Sequence, residues 1–333
     1  MSIAPISHAS TYVEEGVLAA IEAVQAREAS NVFLTACGGS YALMVPLQTI
    51  LQTQTPGVEA HALNARELTT RKPATLGKRS ITILCSHSGT TPETVEAAAY
   101  AREQGALTVA LTHDPDSPLA KAAEFVVVYQ HGDDKDFAMT AAPLLYRLVR
   151  AVIDKANGSN ELGRITEAVS HLDQIVRTEQ QKIAGVADEW GKKHARANVI
   201  YTLSSGANYG VGYSFAICLL QEMLWVHSQG INAAEYFHGP FEITDYDVPF
   251  LSLVGLGAAR AIDERALAFV SSKSENVTVL DAQEWDLSLV PDDLHQEYAH
   301  LVFGPVIRCF ADALADHKGH PLSVRRYMWR MEY

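Results

Sequence analysis

Two kinds of hydrophobic pattern alternate along this chain. Short continuous apolar runs of β-branched and aliphatic residues are separated by longer stretches with apolar positions at helical spacing. Residues 11–28 mix apolar and acidic positions and predict an amphipathic helix. Asn31 to Ala36 (NVFLTA) predicts a strand, Tyr41 to Gln52 a helix, and Gly57 to Leu63 a second strand. Ser80 to Cys85 (SITILC) predicts a buried strand. A helix from Glu93 to Gln104, ending at Gly105, follows it. Leu107 to Leu111 and Glu124 to Tyr129 complete a first set of strands. A helical stretch from about Ala138 to Trp190, broken near Gly158, leads to a second set. There Asn198 to Leu203, Phe250 to Val254 and Asn276 to Leu280 predict strands, with helices over Val211 to Val226 and Ala261 to Ser272. Strands alternating with helices imply parallel sheets covered on both faces. The expected architecture is α/β: two three-layer α/β/α domains with parallel sheets, divided as 1–155 and 156–333.

Length and charge narrow the function. The 333 residues suit two domains of ordinary size. No apolar run approaches the ~20 residues that span a bilayer. Met1 to Tyr12 lacks the basic region and apolar stretch of a signal peptide. Cys37, Cys85, Cys218 and Cys309 form no CxxC pair and read as reduced thiols, so a cytoplasmic location is expected. A net charge of −13 argues against nucleic acid or an anionic membrane as partner. A small anion is still admissible, because backbone N–H groups at a helix start can hold a phosphate whatever the charge of the whole surface.

Two turns of the first half fit such an anion. Cys37-Gly38-Gly39-Ser40 and Ser86-His87-Ser88-Gly89-Thr90-Thr91 each lie between a strand and a helix, where parallel sheets bind ligands. The second has four hydroxyl residues in six positions, more than helix capping requires. Pro92 and Glu93 then mark a strong helix start. His87 is placed to donate to the ligand. Neither turn carries the Lys of a P-loop or the GxGxxG of a dinucleotide site.

In the second half, Val211 to Val226 is apolar nearly all round and should be buried. Glu222 lies inside it. A carboxylate there must be paired, protonated or facing a cavity, and a shielded carboxyl is suited to exchange protons. The run from Asn232 to Glu242 adds Glu235 and His238, closed by Gly239-Pro240. His227 is a further, weaker candidate. No spacing of His, Asp or Glu suggests a metal site.

Together these segments resemble the sugar isomerase (SIS) domain family. The motifs are Ala36-Cys37-Gly38-Gly39-Ser40, the run from Ser86 to Thr94, and Glu235-Tyr236-Phe237-His238-Gly239-Pro240. The isomerase half of glutamine–fructose-6-phosphate transaminase shares the layout, but its amidotransferase domain has no counterpart here. Nearly the whole chain resembles the bacterial deglycases of 6-phosphorylated Amadori compounds, of the fructoselysine-6-phosphate and 6-phosphofructose-aspartate types. ACGGSYA (Ala36–Ala42), the segment from Glu222 to Asp245 and the terminal HPLSVRRYMWRMEY (His320–Tyr333) carry that likeness. Ala233-Ala234 stand where the family often has Ser-Gly. Phe237 stands where the transaminase has Lys, and an Arg- and aromatic-rich tail replaces the C-terminal lysine motif.

The resemblance implies roles. Glu222 and His238 correspond to the catalytic pair, and Ser40, Ser86, Ser88 and Thr91 to phosphate contacts, with Gly39 and His87 beside them. Glu235 orients the substrate amine or shares the base role. The family forms homodimers with the active site at the subunit interface. The implied substrate is a 6-phosphofructosyl amino acid, cleaved without a cofactor because its own carbonyl and amine delocalise charge. Two other readings use the same residues: a sugar-phosphate isomerase or amino-sugar-phosphate deaminase, and a non-catalytic sugar-phosphate sensor. The tail arginines Arg325, Arg326 and Arg330 either face an acidic amino-acid moiety or are surface charges.

Overall fold

A computed structural model describes residues 8–332 and divides the chain into two compact units, Met1–Asp173 and Gln174–Tyr333. This division falls later than 155/156, because the helix over Leu162–Ser170 belongs with the first unit.

The first unit is built on a five-stranded parallel sheet in the order β2-β1-β3-β4-β5. Its strands are β1 (Asn31–Ala36), β2 (Glu59–Asn64), β3 (Ser80–Cys85), β4 (Leu107–Thr112) and β5 (Phe125–Val128). β1, β3 and β4 are buried at every position, as expected of central strands covered on both faces. Helices α1 (His8–Ala26), α2 (Gly38–Gln54), α3 (Ala65–Arg71), α4 (Pro92–Glu103), α5 (Pro118–Ala122) and α6 (Ala141–Asn157) surround the sheet. Arg147 of α6 is buried and makes a two-bond ion pair with Glu14 of α1, at 2.6 and 2.8 Å. The break near Gly158 is a left-handed helix end, at φ +65°. The buried Asp154 carboxylate fixes it by accepting from Ser159 Oγ, Glu161 N and Leu162 N. α7 (Leu162–Ser170) starts there.

The second unit is reached along α8 (Leu172–His194) and holds a four-stranded parallel sheet in the order β7-β6-β8-β9. Its strands are β6 (Val199–Ser204), β7 (His227–Asn232), β8 (Phe250–Val254) and β9 (Val277–Asp281). α9 (Tyr209–Ser214), α10 (Arg260–Ser271) and the 24-residue α11 (His295–Lys318) pack around it. The helix expected over Val211 to Val226 ends early. After Ser214 it widens into a π-helix over Phe215–Met223, and Trp225 takes a left-handed φ of +57°. His227 then opens β7, so it lies on a strand and not on the helix of Glu222.

Candidate active site

In the first unit β1 and β3 are sheet neighbours, so their two following turns lie side by side at the carboxyl edge. The Cys37 sulfur accepts from Asn64 Nδ2 at 3.7 Å and from Thr94 Oγ1 at 4.0 Å, tying the starts of α2 and α4 together. Gly39 is exposed in the first turn of α2. Ser40 is half-buried and its hydroxyl bonds the Cys85 thiol. In the second turn Ser86 is buried, and its hydroxyl pairs with that of Thr91 at 2.9 Å. Ser88 Oγ meets Thr90 Oγ1 at 2.7 Å and accepts from Thr90 N at 3.3 Å. Thr91 is the N-cap residue of α4 and makes no side-chain capping bond; its carbonyl accepts from Thr94 N and Val95 N, at 3.0 and 3.1 Å. Gly89 has φ +66°, and a Cβ there would collide with the Ser117 hydroxyl; only glycine fits on both counts.

Histidines border this turn. His87 Nδ1 lies 3.1 Å from the Tyr129 hydroxyl. The His87 ring centroid is 4.4 Å from that of His113 and 5.1 Å from that of His131, and those two are 4.4 Å apart. Burial, followed by the charges of His113 and His131, holds the His87 pKa below its ordinary value. Burial pushes the Cys85 thiol up to about 11 and raises the buried Tyr129 hydroxyl further.

In the second unit Glu222 sits near the end of the π-helix. This rare helix type appears mostly as short insertions, frequently at functional sites. Glu222 is ion-paired. Arg325 Nε and Nη2 lie 3.0 and 2.8 Å from its Oε1. The Arg325 side chain is 7% exposed and that of Glu222 25% exposed. Arg325 Nη1 donates to the carbonyls of Leu322 and Val324, and the neighbouring Arg326 lies 4.1 Å over the Trp225 ring. The tail therefore folds onto the end of the π-helix and fixes one oxygen of Glu222. Both Arg325 contacts fall on the same oxygen of Glu222.

Glu235 and His238 lie elsewhere in this unit. Gln221, next to Glu222, donates to Ser228 O near the start of β7, whereas Glu235 N donates to Asn232 O at its end. Four strand steps, about 13 Å, separate those anchors. Both Glu235 and His238 are exposed. Phe237 between them is a packing residue, against Tyr236, Phe241 and Phe269 with the Arg265 guanidinium 4.2 Å above its ring. Among the described residues no group of His, Cys, Asp and Glu is arranged to hold a metal ion, and no helix is long and apolar enough to cross a membrane.

The SIS domain model matches residues 26–149. Fructosamine deglycase FrlB of Bacillus subtilis (strain 168) is 42% identical over 328 residues, covering 98% of this chain and 100% of the relative. This chain belongs to the SIS domain family. Fructoselysine 6-phosphate deglycase of Escherichia coli (strain K12) is 30% identical over 320 residues, covering 93% of this chain and 89% of the relative. A crystal structure of a phosphosugar-isomerase-type protein from Bacillus subtilis superposes with a TM-score of 0.94 at 41% identity, covering 97% and 100% of the two chains. The full-length likeness to deglycases makes this SIS protein an enzyme. Both of its sheets are SIS-type parallel α/β sheets.

The expected substrate-binding residues Gly39, Ser40, Ser86, His87, Ser88 and Thr91 thus share one edge of the first SIS unit. Of the catalytic candidates, Glu222 lies at the amino end of β7 and Glu235 and His238 beyond its carboxyl end. Residues that the motifs did not flag are His113 and His131 beside the hydroxyl turn. Arg325 was visible only as one of several tail arginines.

Proposed function

We propose that this SIS enzyme is a cytoplasmic, homodimeric deglycase that converts a 6-phosphofructosyl amino acid and water to glucose 6-phosphate and the free amino acid. The full-length likeness to deglycases carries the proposal, and the hydroxyl-rich turn and the arginine-held carboxylate support it. The phosphate docks on Ser40, Ser86, Ser88, Thr91 and the amides around Gly39 and Gly89. Its binding energy holds the sugar carbons in place. His238 assists ring opening. Glu222 takes a proton from C1, giving a 1,2-enaminol, and a proton is returned at C2. The resulting C1 imine is hydrolysed. Glu235 orients the amine. No organic cofactor takes part. The four cysteines are free, in keeping with a reducing compartment.

The position of the acid–base groups supports reading the enzyme as a homodimer. One copy of the second unit holds Glu222 and His238 at opposite ends of β7, so a site using both draws His238 from the other copy. Glu222→Gln and His238→Asn, each inactive alone, are expected to regain activity when mixed and allowed to exchange subunits. Random exchange makes half the dimers mixed, with one intact site in two, or about a quarter of wild-type activity. No recovery despite demonstrated exchange rules this arrangement out.

Ser86→Ala combined with Ser88→Ala should raise KM for the phosphorylated substrate by about 10- to 100-fold with a smaller change in kcat, since two hydroxyl contacts are lost. An unchanged KM contradicts the phosphate assignment. The substrate itself is tested by a panel of 6-phosphofructosyl Asp, Asn, Glu, Gln and Lys, with glucosamine 6-phosphate and fructose 6-phosphate alongside. Glucose 6-phosphate released with one equivalent of amino acid is expected. Turnover of only the last two compounds indicates a deaminase or isomerase.

A further inference from the structure

Three adjacent strands of the first unit each deliver a histidine to the same edge. His87 follows β3, His113 directly follows β4, and His131 follows β5. Their rings touch one another, at centroid separations of 4.4 to 5.1 Å. His87 belongs to the hydroxyl turn itself. We infer that the touching rings of His87, His113 and His131 form the proton-binding part of the anion site, and that this cluster takes up protons as a dianion docks on the neighbouring hydroxyls. This inference rests on the reading of that turn as the phosphate site.

Charge leads to it. The chain carries −13 overall, yet the segments 37–41 and 86–91 contain no Lys or Arg. Hydroxyls and amides alone meet a dianion there. Of the basic residues in this unit, Arg66 pairs with Glu96 and Glu93, and Lys135 donates to Gly132 O and lies over Phe137. The groups facing the imidazoles are Tyr129, which bonds His87, and the Cys85 thiol next to Tyr129; both stay neutral over the working pH range. Among the described residues none of the three histidines is ion-paired, and Asp114, beside His113, accepts from Asp116 N. Three close imidazoles repel one another when charged, and at His87 this adds to burial, the larger cause of its lowered pKa. An incoming dianion removes that penalty. Because imidazole titrates near neutrality, anion binding and proton uptake are then one event.

Inorganic sulfate is the probe, because it stays dianionic from pH 5 to pH 9 and any pH dependence belongs to the protein. Calorimetry in buffers of different ionisation enthalpy gives both affinity and protons taken up. Wild-type protein is expected to bind sulfate about tenfold more tightly at pH 6 than at pH 8, taking up about half a proton per sulfate near pH 7. The double variant His113→Gln/His131→Gln should show less than about threefold pH dependence and lose most of the proton uptake, with an unchanged thermal midpoint. His131→Gln alone, at an exposed position, should lose part of the uptake and serves if the double variant does not fold. A pH-independent affinity, no sulfate binding at pH 6, or full wild-type proton uptake in the variants overturns the inference. Sulfate binding needs no turnover, so its result is independent of whether glucose 6-phosphate is ever released.

Discussion

Glu222→Gln is expected to lower kcat by about a thousandfold while KM changes little, because a general base acts in the transition state and not in substrate binding. Gln is the informative replacement. Its amide oxygen can still accept from Arg325, which bonds the single oxygen Oε1 at 2.8 and 3.0 Å, so the tail keeps its anchor. The Arg325 side chain is 7% exposed, and deleting its partner outright strands a buried charge, which costs stability whatever the catalytic role. Steady-state kinetics on the folded variant, with its thermal midpoint as control, separates the two effects. Near-normal turnover in Glu222→Gln rejects the assignment. A loss expressed only in KM points instead to a binding role.

The second unit should lose stability steeply between pH 6.5 and pH 4. His194 and His300 are buried, at 3% and 6% exposure, and burial holds each pKa down to about 4. His300 Nδ1 hydrogen-bonds the Glu297 carbonyl, which only partly offsets burial. The sign is fixed by linkage. Both histidines are neutral in the fold, whereas the unfolded chain protonates them near pH 6.5. Stability is therefore complete above that value and falls as the pH drops toward 4, by roughly 3 kcal/mol for each histidine. Urea unfolding followed from pH 7 to pH 4 should show this loss, with a slope near two protons at pH 5 to 6. His194→Gln should remove about one proton from that slope. A flat profile across this range contradicts the burial of both rings in neutral form.

The sheets were legible because their central strands are written as unbroken apolar runs. NVFLTA, SITILC and FLSLV are buried at every position, and each was expected within a residue of its observed limits. β7 was not legible. Its sequence, HSQGIN, has no apolar run, and it is a strand because it pairs with β6 from His227 to Asn232. Gly230 is required there by packing, since a Cβ would lie 2.8 Å from Tyr213 Cα. The preceding helix looked as if it ran on to Val226 because its apolar pattern does. Nothing in that pattern signals the switch to π geometry or the left-handed Trp225.

The candidate site divides the same way. The hydroxyl turn could be read directly, since four hydroxyls at a strand-to-helix junction is a local pattern. Glu222 stood out as a charge in an apolar helix, but its partner Arg325 is 103 residues away and is found only by folding the tail. His113 and His131 each look like an isolated histidine in a loop. Only the parallel order β3-β4-β5 brings them against His87.

The most direct measurement follows the C1 hydrogens. The 6-phosphofructosyl amino acids of the panel, made with two deuterons at C1, are incubated with the enzyme, and the sugar phosphate formed is analysed by mass spectrometry and NMR. Proton abstraction at C1 through the enaminol predicts glucose 6-phosphate with one deuteron left at C1 and one equivalent of amino acid released. Fructose 6-phosphate retaining both deuterons, or no release of amino acid from any member of the panel, contradicts it.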